Sequence, residues 1–256
     1  MFNIFNTQKE NISVRLTNER RLDQALIKKG VENFASISKL TISGTMTRAD
    51  FKFIRKKMSK TLQEIDFSNA TIEDGKLQKG ALARCVALTS ASVPEYITEI
   101  TDGAFSNCFN LKSFTIPRHV SIIGELAFWG CKGLTAITIP NSVTELHFRA
   151  FNNCTGLTSI VLPNSVKKIA GSAFGNCFGL TSITIPNSVT EIGNGAFANC
   201  VNLATITIPK SVVNIGFWVF DGCDTVITVH PDNPVYEAKD GKLVSKFAKE
   251  MGYCNL

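Results

Sequence analysis

The chain has 256 residues, 44% hydrophobic and 19% charged, a composition that excludes a disordered or fibrous protein. No apolar run reaches the roughly 18–20 residues of a membrane span, and the first residues carry no basic or apolar leader, so we expect no transmembrane segment and no signal peptide at this start. The net charge of +6 lies in residues 1–84, with 16 Lys+Arg against 9 Asp+Glu, whereas residues 85–223 balance at 7 against 7. This neutral middle argues against nucleic acid as the partner of the whole chain.

The N-terminal part, residues 1–84, is predicted to be a cap with two irregular coils. A first helix is expected over residues 19–29, with Leu22, Leu26 and Lys29 on one side and Gly30 at its end. A second helix is expected over about residues 48–58. Thr47 and Asp50 form a capping-box-like start, and the apolar stripe is Phe51, Ile54 and Met58. The two irregular coils place their strand positions at Leu40 and Ile42, and at Leu62, Ile65 and Phe67.

Cysteine reveals a repeat in residues 85–226. Cys85, Cys108, Cys131, Cys154, Cys177, Cys200 and Cys223 are spaced by 23 residues without a slip, and Phe, Leu and Pro columns keep the same step. In the coil beginning at Leu180, Ile183 and Ile185 face one side, while Ser182 and Thr184 face the other. One such coil cannot bury its apolar face alone, so successive coils must stack and their strands form a parallel sheet.

The repeat unit, best seen from Ile185 to Leu203, resembles the BspA-like leucine-rich repeat family. The resemblance implies a right-handed leucine-rich repeat solenoid, an α/β repeat fold of about nine coils with a parallel sheet on its concave face and an α-helical N-terminal cap. It also implies a binding surface rather than a reaction, because some members are adhesins for host matrix proteins. Residues 227–256 are expected to form a C-terminal cap and tail, with a hairpin turn at Lys239-Asp240-Gly241. All three parts belong to one continuous solenoid.

The ordered cysteines raise the question of disulfides or metal. Side chains in one column run parallel at about 4.8 Å, a poor geometry for a disulfide, and a straight column offers no tetrahedral ligand set. We therefore predict seven buried, reduced thiols that pack as small hydrophobes, an exposed Cys254, and no metal or cofactor.

The sequence contains few residues in arrangements that suit catalysis. His119, His147 and His230 occupy three different columns, and none of the common hydrolase or phosphate-binding motifs is present. Glu99, Glu145 and Glu191 share a column but stand roughly 9.6 Å apart, which is wide for a paired acid and base. We therefore expect a protein that is not an enzyme.

Three surfaces are candidates for binding, each with a plainer explanation. Hydroxyl side chains line the open strand face. They either reflect the preference of such residues for exposed strands or form an uncharged surface that binds a ligand. They include Ser113, Thr115, Thr138, Ser159, Ser182 and Thr184. Large aromatics stand where other coils have small or polar residues, either folded onto neighbouring coils or exposed as partner anchors; they are Trp129, Phe148, Phe217 and Trp218. The second helix carries a basic face. This face is either simply exposed to solvent or binds a polyanion. The residues of the basic face include Lys52, Arg55, Lys56 and Lys57.

The sequence thus favours an adhesin-like binding module, on the cell surface or secreted, that recognises a protein or glycan, with extracellular matrix as one source of partners. An intracellular interaction scaffold is the alternative, and an enzyme with an unrecognised site is the third. A cytoplasmic location stays open, and the oligomeric state cannot be read from the chain.

Overall fold

The computed structural model describes residues 10–17 and 20–247. In chain order its helices and strands are β1 (Glu10–Leu16), α1 (Leu22–Lys28), β2 (Ile37–Met46), α2 (Arg48–Lys57), β3 (Glu64–Asp66), β4 (Ala70–Ile72), β5 (Lys76–Leu77), β6 (Ser90–Ser92), β7 (Glu99–Ile100), β8 (Ile122–Ile123), β9 (Ala136–Thr138), β10 (Glu145–Leu146), β11 (Ser159–Val161), β12 (Lys168–Ile169), β13 (Ser182–Thr184), β14 (Glu191–Ile192), β15 (Thr205–Ile208), β16 (Asn214–Ile215), β17 (Val226–Val229), β18 (Tyr236–Lys239) and β19 (Lys242–Ser245). Two short 3₁₀ helices, Phe34–Ser36 and Glu73–Gly75, connect them.

These elements form the predicted solenoid, in which each coil contributes to two walls. The first wall holds the three-residue strands whose hydroxyl side chains alternate with buried isoleucines. The second wall is a parallel seven-stranded sheet in the order β16-β14-β12-β10-β8-β7-β5, built from strands of two residues each. A proline in each regular coil stops the pairing of the first wall, because it has no N–H to donate. The chain then turns through Asn-Ser and reaches the second wall.

A column of phenylalanines fills the space between the walls. Phe105, Phe128, Phe151, Phe174 and Phe197 are fully buried. Neighbouring rings lie nearly parallel, with centroids 5.2 Å apart for Phe128 and Phe151 and 5.7 Å apart for Phe174 and Phe197. Since strands are spaced by about 4.8 Å, these rings stack with a small offset, which is the arrangement that aromatic quadrupoles favour.

The first wall is not the single continuous sheet that the repeat predicted. Its hydrogen-bonded strands fall into three groups among the described residues, β1-β2-β3-β6, β9-β11-β13 and β15-β17. The first break lies at residues 113–115, where Phe114 stands between Ala91 and Ile137 in its column and packs its ring 4.6 Å from that of Phe105. We attribute this break to the larger ring, which occupies space that the smaller side chains of Ala91 and Ile137 leave to the backbone.

The N-terminal cap contains the two predicted helices and, in addition, a strand that was not predicted. α2 lies where it was expected, with Phe51, Ile54 and Met58 fully buried. α1 begins at Leu22, and its buried face is Leu22, Ala25 and Leu26, so the placement of Lys29 on that face was wrong: Lys29 is exposed because it is the C-cap residue. The strand β1 was not predicted, although its alternating Ile12, Val14 and Leu16 are a strand pattern; it pairs in parallel with β2.

At the C-terminus, the predicted hairpin is confirmed. β18 and β19 pair antiparallel around Asp240 and Gly241, both of which have positive φ. The Tyr236 hydroxyl accepts the Ile215 N–H of the last strand in the second wall, at 2.9 Å. The buried Asn233 amide donates to the carbonyls of Pro209 and Val212, so the hairpin is fixed to the last regular coil. Neither helix in the described ranges is long and apolar enough to cross a bilayer.

Candidate binding surfaces

The turn that follows each second-wall strand requires a left-handed backbone at two positions. The first of these positions is occupied by Gly80, Gly103, Leu126, Arg149, Ser172, Gly195 and Trp218, all with φ between 52° and 63°. Glycine adopts this conformation freely, whereas other residues do so at a cost of about 1–2 kcal/mol. Leu126, Arg149, Ser172 and Trp218 therefore each carry this backbone cost.

Phe217 and Trp218 form an exposed aromatic pair on this turn. Their side chains are 62% and 71% exposed, and their ring centroids are 6.1 Å apart. The backbone beneath them is held, because the Phe217 N–H donates to the Asn194 side chain at 2.9 Å. The pair is thus an exposed apolar patch near the C-terminal end of the solenoid, on a backbone that a side-chain hydrogen bond holds in place.

The other two predicted aromatics lie elsewhere on the turn side. Phe148 is 41% exposed, stacks against the Arg149 guanidinium at 4.8 Å, and leans towards Gly171 of the next coil. It stands three coils from Phe217, roughly 14 Å at about 4.8 Å per coil. Of the two alternatives for the aromatics, Trp129 follows the first: its ring is half-buried, and its Nε1–H donates to the buried Asn152 of the next coil at 3.2 Å.

The hydroxyl face of the first wall is separate from the aromatics. All six predicted hydroxyl residues are exposed there: Ser113, Thr115, Thr138, Ser159, Ser182 and Thr184. Val161, which the sequence reasoning passed over, lies between Thr138 and Thr184 in their column and is largely exposed. The predicted partner-binding residues therefore divide between two sides of the coil, and no single site contains them all.

The N-terminal part of the first wall carries a polar cavity of about 440 Å³. Its lining includes Asn11, Thr41, Asp66 and Ser90, and a Lys39–Glu64 ion pair of 2.8 Å crosses it. This cavity extends the hydroxyl face towards β1.

Six of the seven repeat cysteines are buried as predicted, whereas the prediction was wrong for Cys223. Cys223 is half-buried, and each of these seven is free. The Cys154 thiol donates to the Phe128 carbonyl of the preceding coil at 3.2 Å, and the same bond recurs from Cys108 to Cys223. Burial raises the pKa of Cys154 to about 12, so its thiol is a poor nucleophile. Cys254 lies outside the described residues.

The imidazoles and carboxylates do not converge. His147 contacts Glu145 at 3.0 Å, whereas Glu99 and Glu191 bind Lys76 and Lys168. Within residues 10–17 and 20–247, no group of three His, Cys, Asp or Glu side chains is arranged to hold a metal ion.

The basic face of α2 is smaller than predicted. Lys52, Lys56 and Lys57 are exposed, and none of them forms an ion pair with a described carboxylate. Arg55 differs, because its Nη1 donates to the carbonyls of Gly80 and Ala81 at 2.7 and 3.0 Å. Arg55 is half-buried and its Nη1 contacts the first regular turn, so of the predicted set only the three lysines are exposed.

A cavity of about 440 Å³ lies beyond the last regular turn. Trp218, Phe220 and Val226 line it from the coil, and Lys242 and Leu243 line it from the hairpin. The carboxylates of Asp221, Asp224 and Asp240 surround it.

Comparison with known proteins identifies the repeat. The model of the BspA type leucine rich repeat region matches in 6 copies, over residues 27–157, 75–188 and 144–241. A leucine-rich repeat protein from Bacteroides ovatus has 29% identity and a TM-score of 0.65 over 74% of this chain and 47% of its own. A leucine rich cell surface protein from Faecalibacterium prausnitzii has 33% identity and a TM-score of 0.61 over 74% and 48%.

The chain thus spans about half the length of the solved structures it matches. No curated protein sequence matches it. Because the family model matches residues 27–241, which is most of the chain, we conclude that this chain belongs to the BspA-type leucine-rich repeat family.

Proposed function

We propose that this chain is a non-catalytic recognition module, displayed on a cell surface or secreted, that binds a protein or glycan partner. The observation that carries the proposal is the exposed Phe217–Trp218 pair. Trp218 adopts a left-handed backbone at a position where three other coils have glycine and three have Leu126, Arg149 or Ser172, and it is the large apolar residue of this position that is 71% exposed. Residues kept in costly conformations tend to cluster at functional sites, and tryptophan is the preferred anchor of protein interfaces.

Two further features support this proposal. The hydroxyl face gives an uncharged surface with hydrogen-bonding groups at regular spacing, which suits a peptide or a sugar. The similar protein from Faecalibacterium prausnitzii is described as a cell surface protein. A surface location would follow for this chain if it is placed as that protein is.

A binding screen tests the proposal. Purified chain is passed over immobilised matrix proteins and glycans, and each hit is measured again with Trp218→Gly. Phe178→Ala is the matched control, because Phe178 is 43% exposed on another part of the same side. We expect Trp218→Gly to weaken binding at least tenfold, since hot-spot tryptophans contribute 2 kcal/mol or more, and Phe178→Ala to leave it unchanged. Equal affinity of the wild type and Trp218→Gly for every hit would overturn the proposal.

A further inference from the structure

The turns of successive coils are joined by a directional ladder of backbone hydrogen bonds. In the turn beginning at Gly195, the N–H groups of Gly195, Phe197 and Asn199 donate to carbonyls of the next coil at 2.7–3.0 Å. The same pattern, from each residue to the one 22 positions later, joins the earlier turns. All donors therefore point towards the C-terminal end of the solenoid, and all acceptors point towards the N-terminal end.

The two ends of this ladder differ in whether their terminal backbone groups have hydrogen-bond partners. At the N-terminal end, the first regular turn presents the carbonyls of Lys79, Ala81 and Ala83 as the equivalent acceptors. The Arg55 guanidinium donates to one of them, the Ala81 carbonyl, and to the adjacent Gly80 carbonyl.

At the C-terminal end, the equivalent donors are the N–H groups of Trp218, Phe220 and Gly222. None of these three has an acceptor in the part of the chain that the structure describes. Trp218 and Phe220 line the 440 Å³ cavity between the last turn and the hairpin, and Gly222 lies between the lining residues Asp221 and Cys223.

The chemistry of this edge restricts what can cover it. A donor-only edge needs acceptors, so two copies of the chain cannot pair through their C-terminal edges. Head-to-tail pairing through all three bonds is also disfavoured, because Arg55 already occupies the middle acceptor at the opposite end, the Ala81 carbonyl. A main-chain segment of another protein supplies carbonyls at the required spacing, as in the strand addition by which exposed sheet edges bind peptides.

The charges around the cavity select among such segments. Asp221, Asp224 and Asp240 form no ion pair with any described residue, and Lys242 is the only basic residue in the lining. These carboxylates repel an anion that would otherwise suit three backbone N–H groups. They attract a basic segment, and the face of Trp218 offers a cation–π contact to a Lys or Arg side chain.

We infer that the C-terminal edge of the turn ladder binds a basic peptide segment of another protein, whose main-chain carbonyls accept from the N–H groups of Trp218, Phe220 and Gly222. This inference rests on the proposed function and names the chemistry of its partner.

Amide hydrogen exchange of the full chain, followed by NMR, tests it. The probe is the acetylated and amidated hexapeptide Asn-Arg-Ala-Phe-Lys-Asn, which copies residues 194–199 with Gly195→Arg and Ala198→Lys. Without peptide, we expect the amides of Trp218, Phe220 and Gly222 to exchange at least 100-fold faster than those of Gly195, Phe197 and Asn199, which are the internal controls. Millimolar peptide should slow the three edge amides at least tenfold, whereas the same peptide with Glu in place of Arg and Lys should not.

Variants test the charge argument. Asp221→Asn, Asp224→Asn and Asp240→Asn together should weaken peptide binding at least fivefold at low salt. The matched control, Glu32→Gln with Glu73→Gln and Glu95→Gln, changes exposed carboxylates elsewhere and should have no effect.

Three results would overturn the inference. Edge amides already protected in the free chain would show that the chain itself covers the edge or, where protection falls on dilution, that a second copy does. Edge amides unaffected by the basic peptide, or equally protected by the Glu peptide, would also refute it. The proposed function would survive each of these results if Trp218→Gly still loses the partner found in the binding screen.

Discussion

The carboxylate of Asp50 accepts the backbone N–H of Leu22 at 2.8 Å, although 28 residues separate them. Its other oxygen accepts the N–H and the hydroxyl of Thr47 at 2.8 and 2.7 Å. One buried carboxylate therefore satisfies free donors at the start of both α1 and α2. This contact fixes the two helices of the N-terminal cap relative to each other.

Asp50→Ala should consequently destabilise the cap. The substitution leaves three donors without their acceptor, and each bond to a charged group contributes about 1.5–3 kcal/mol. Because the donors regain part of this energy from water, we expect the free energy of unfolding in urea to fall by about 2–4 kcal/mol. Asp23→Ala, in the first turn of α1, is the control and should change it by less than about 1 kcal/mol. A loss for Asp50→Ala no larger than that of the control would show that the carboxylate does not join the helices.

Sequence reasoning predicted the regular coils well because each column repeats one physical requirement many times. The buried Phe and Cys columns, the alternating first-wall strands and the hairpin turn all followed from residue type and spacing. The capping box at Thr47 was also predicted, but the bond from Asp50 to Leu22 was not, since nothing local links residues so far apart in sequence.

Two contacts could not be read from sequence position alone. Trp129 stands in a column of small or polar residues and Arg55 stands on the polar face of α2, yet Trp129 reaches Asn152 of the next coil and Arg55 reaches the carbonyls of the first regular turn. Both side chains are long, and their polar tips find partners that neither a column comparison nor helical periodicity includes. The bare donors at the end of the turn ladder were likewise not predictable, because they depend on where the hairpin lies.

The buried thiols predict a steep loss of stability at alkaline pH. Burial raises the pKa of Cys154 to about 12, whereas an unfolded cysteine titrates near 8.5–9. The unfolded chain therefore loses thiol protons first, so this stability is complete below about pH 8.5 and falls until about pH 12. Each such thiol contributes a slope of about 1.4 kcal/mol per pH unit.

Urea unfolding under reducing conditions at several values between pH 8 and pH 10.5 measures this slope. Cys154→Ala is the matched variant, because it removes one of the raised thiols. Its slope should be shallower by about 1.4 kcal/mol per pH unit than that of the unchanged chain. Identical slopes would mean that the Cys154 thiol is not protected from ionisation in the folded state.

Polyanion binding, if it occurs, should depend on the exposed lysines of α2. Changing Lys52, Lys56 and Lys57 to Glu reverses three charges on one face, and we expect the salt concentration that elutes the chain from heparin to fall by at least half. The control changes Lys112, Lys167 and Lys210 to Glu, three exposed lysines of the repeats, with the same change in net charge. Equal effects of the two triple variants would indicate that only net charge matters.

The two tryptophans should respond to truncation in opposite ways. Trp129→Ala removes a half-buried ring and leaves the buried Asn152 without its Nε1–H donor, so we expect a loss of about 2–3 kcal/mol in the free energy of unfolding. Trp218→Gly removes an exposed ring and relieves a left-handed backbone, partly offset by the greater entropy of glycine in the unfolded chain. We therefore expect its stability to stay the same or rise by up to about 1 kcal/mol. Urea denaturation of both variants provides the comparison, and a loss above about 2 kcal/mol for Trp218→Gly would place that ring in the core and remove the basis for a binding role.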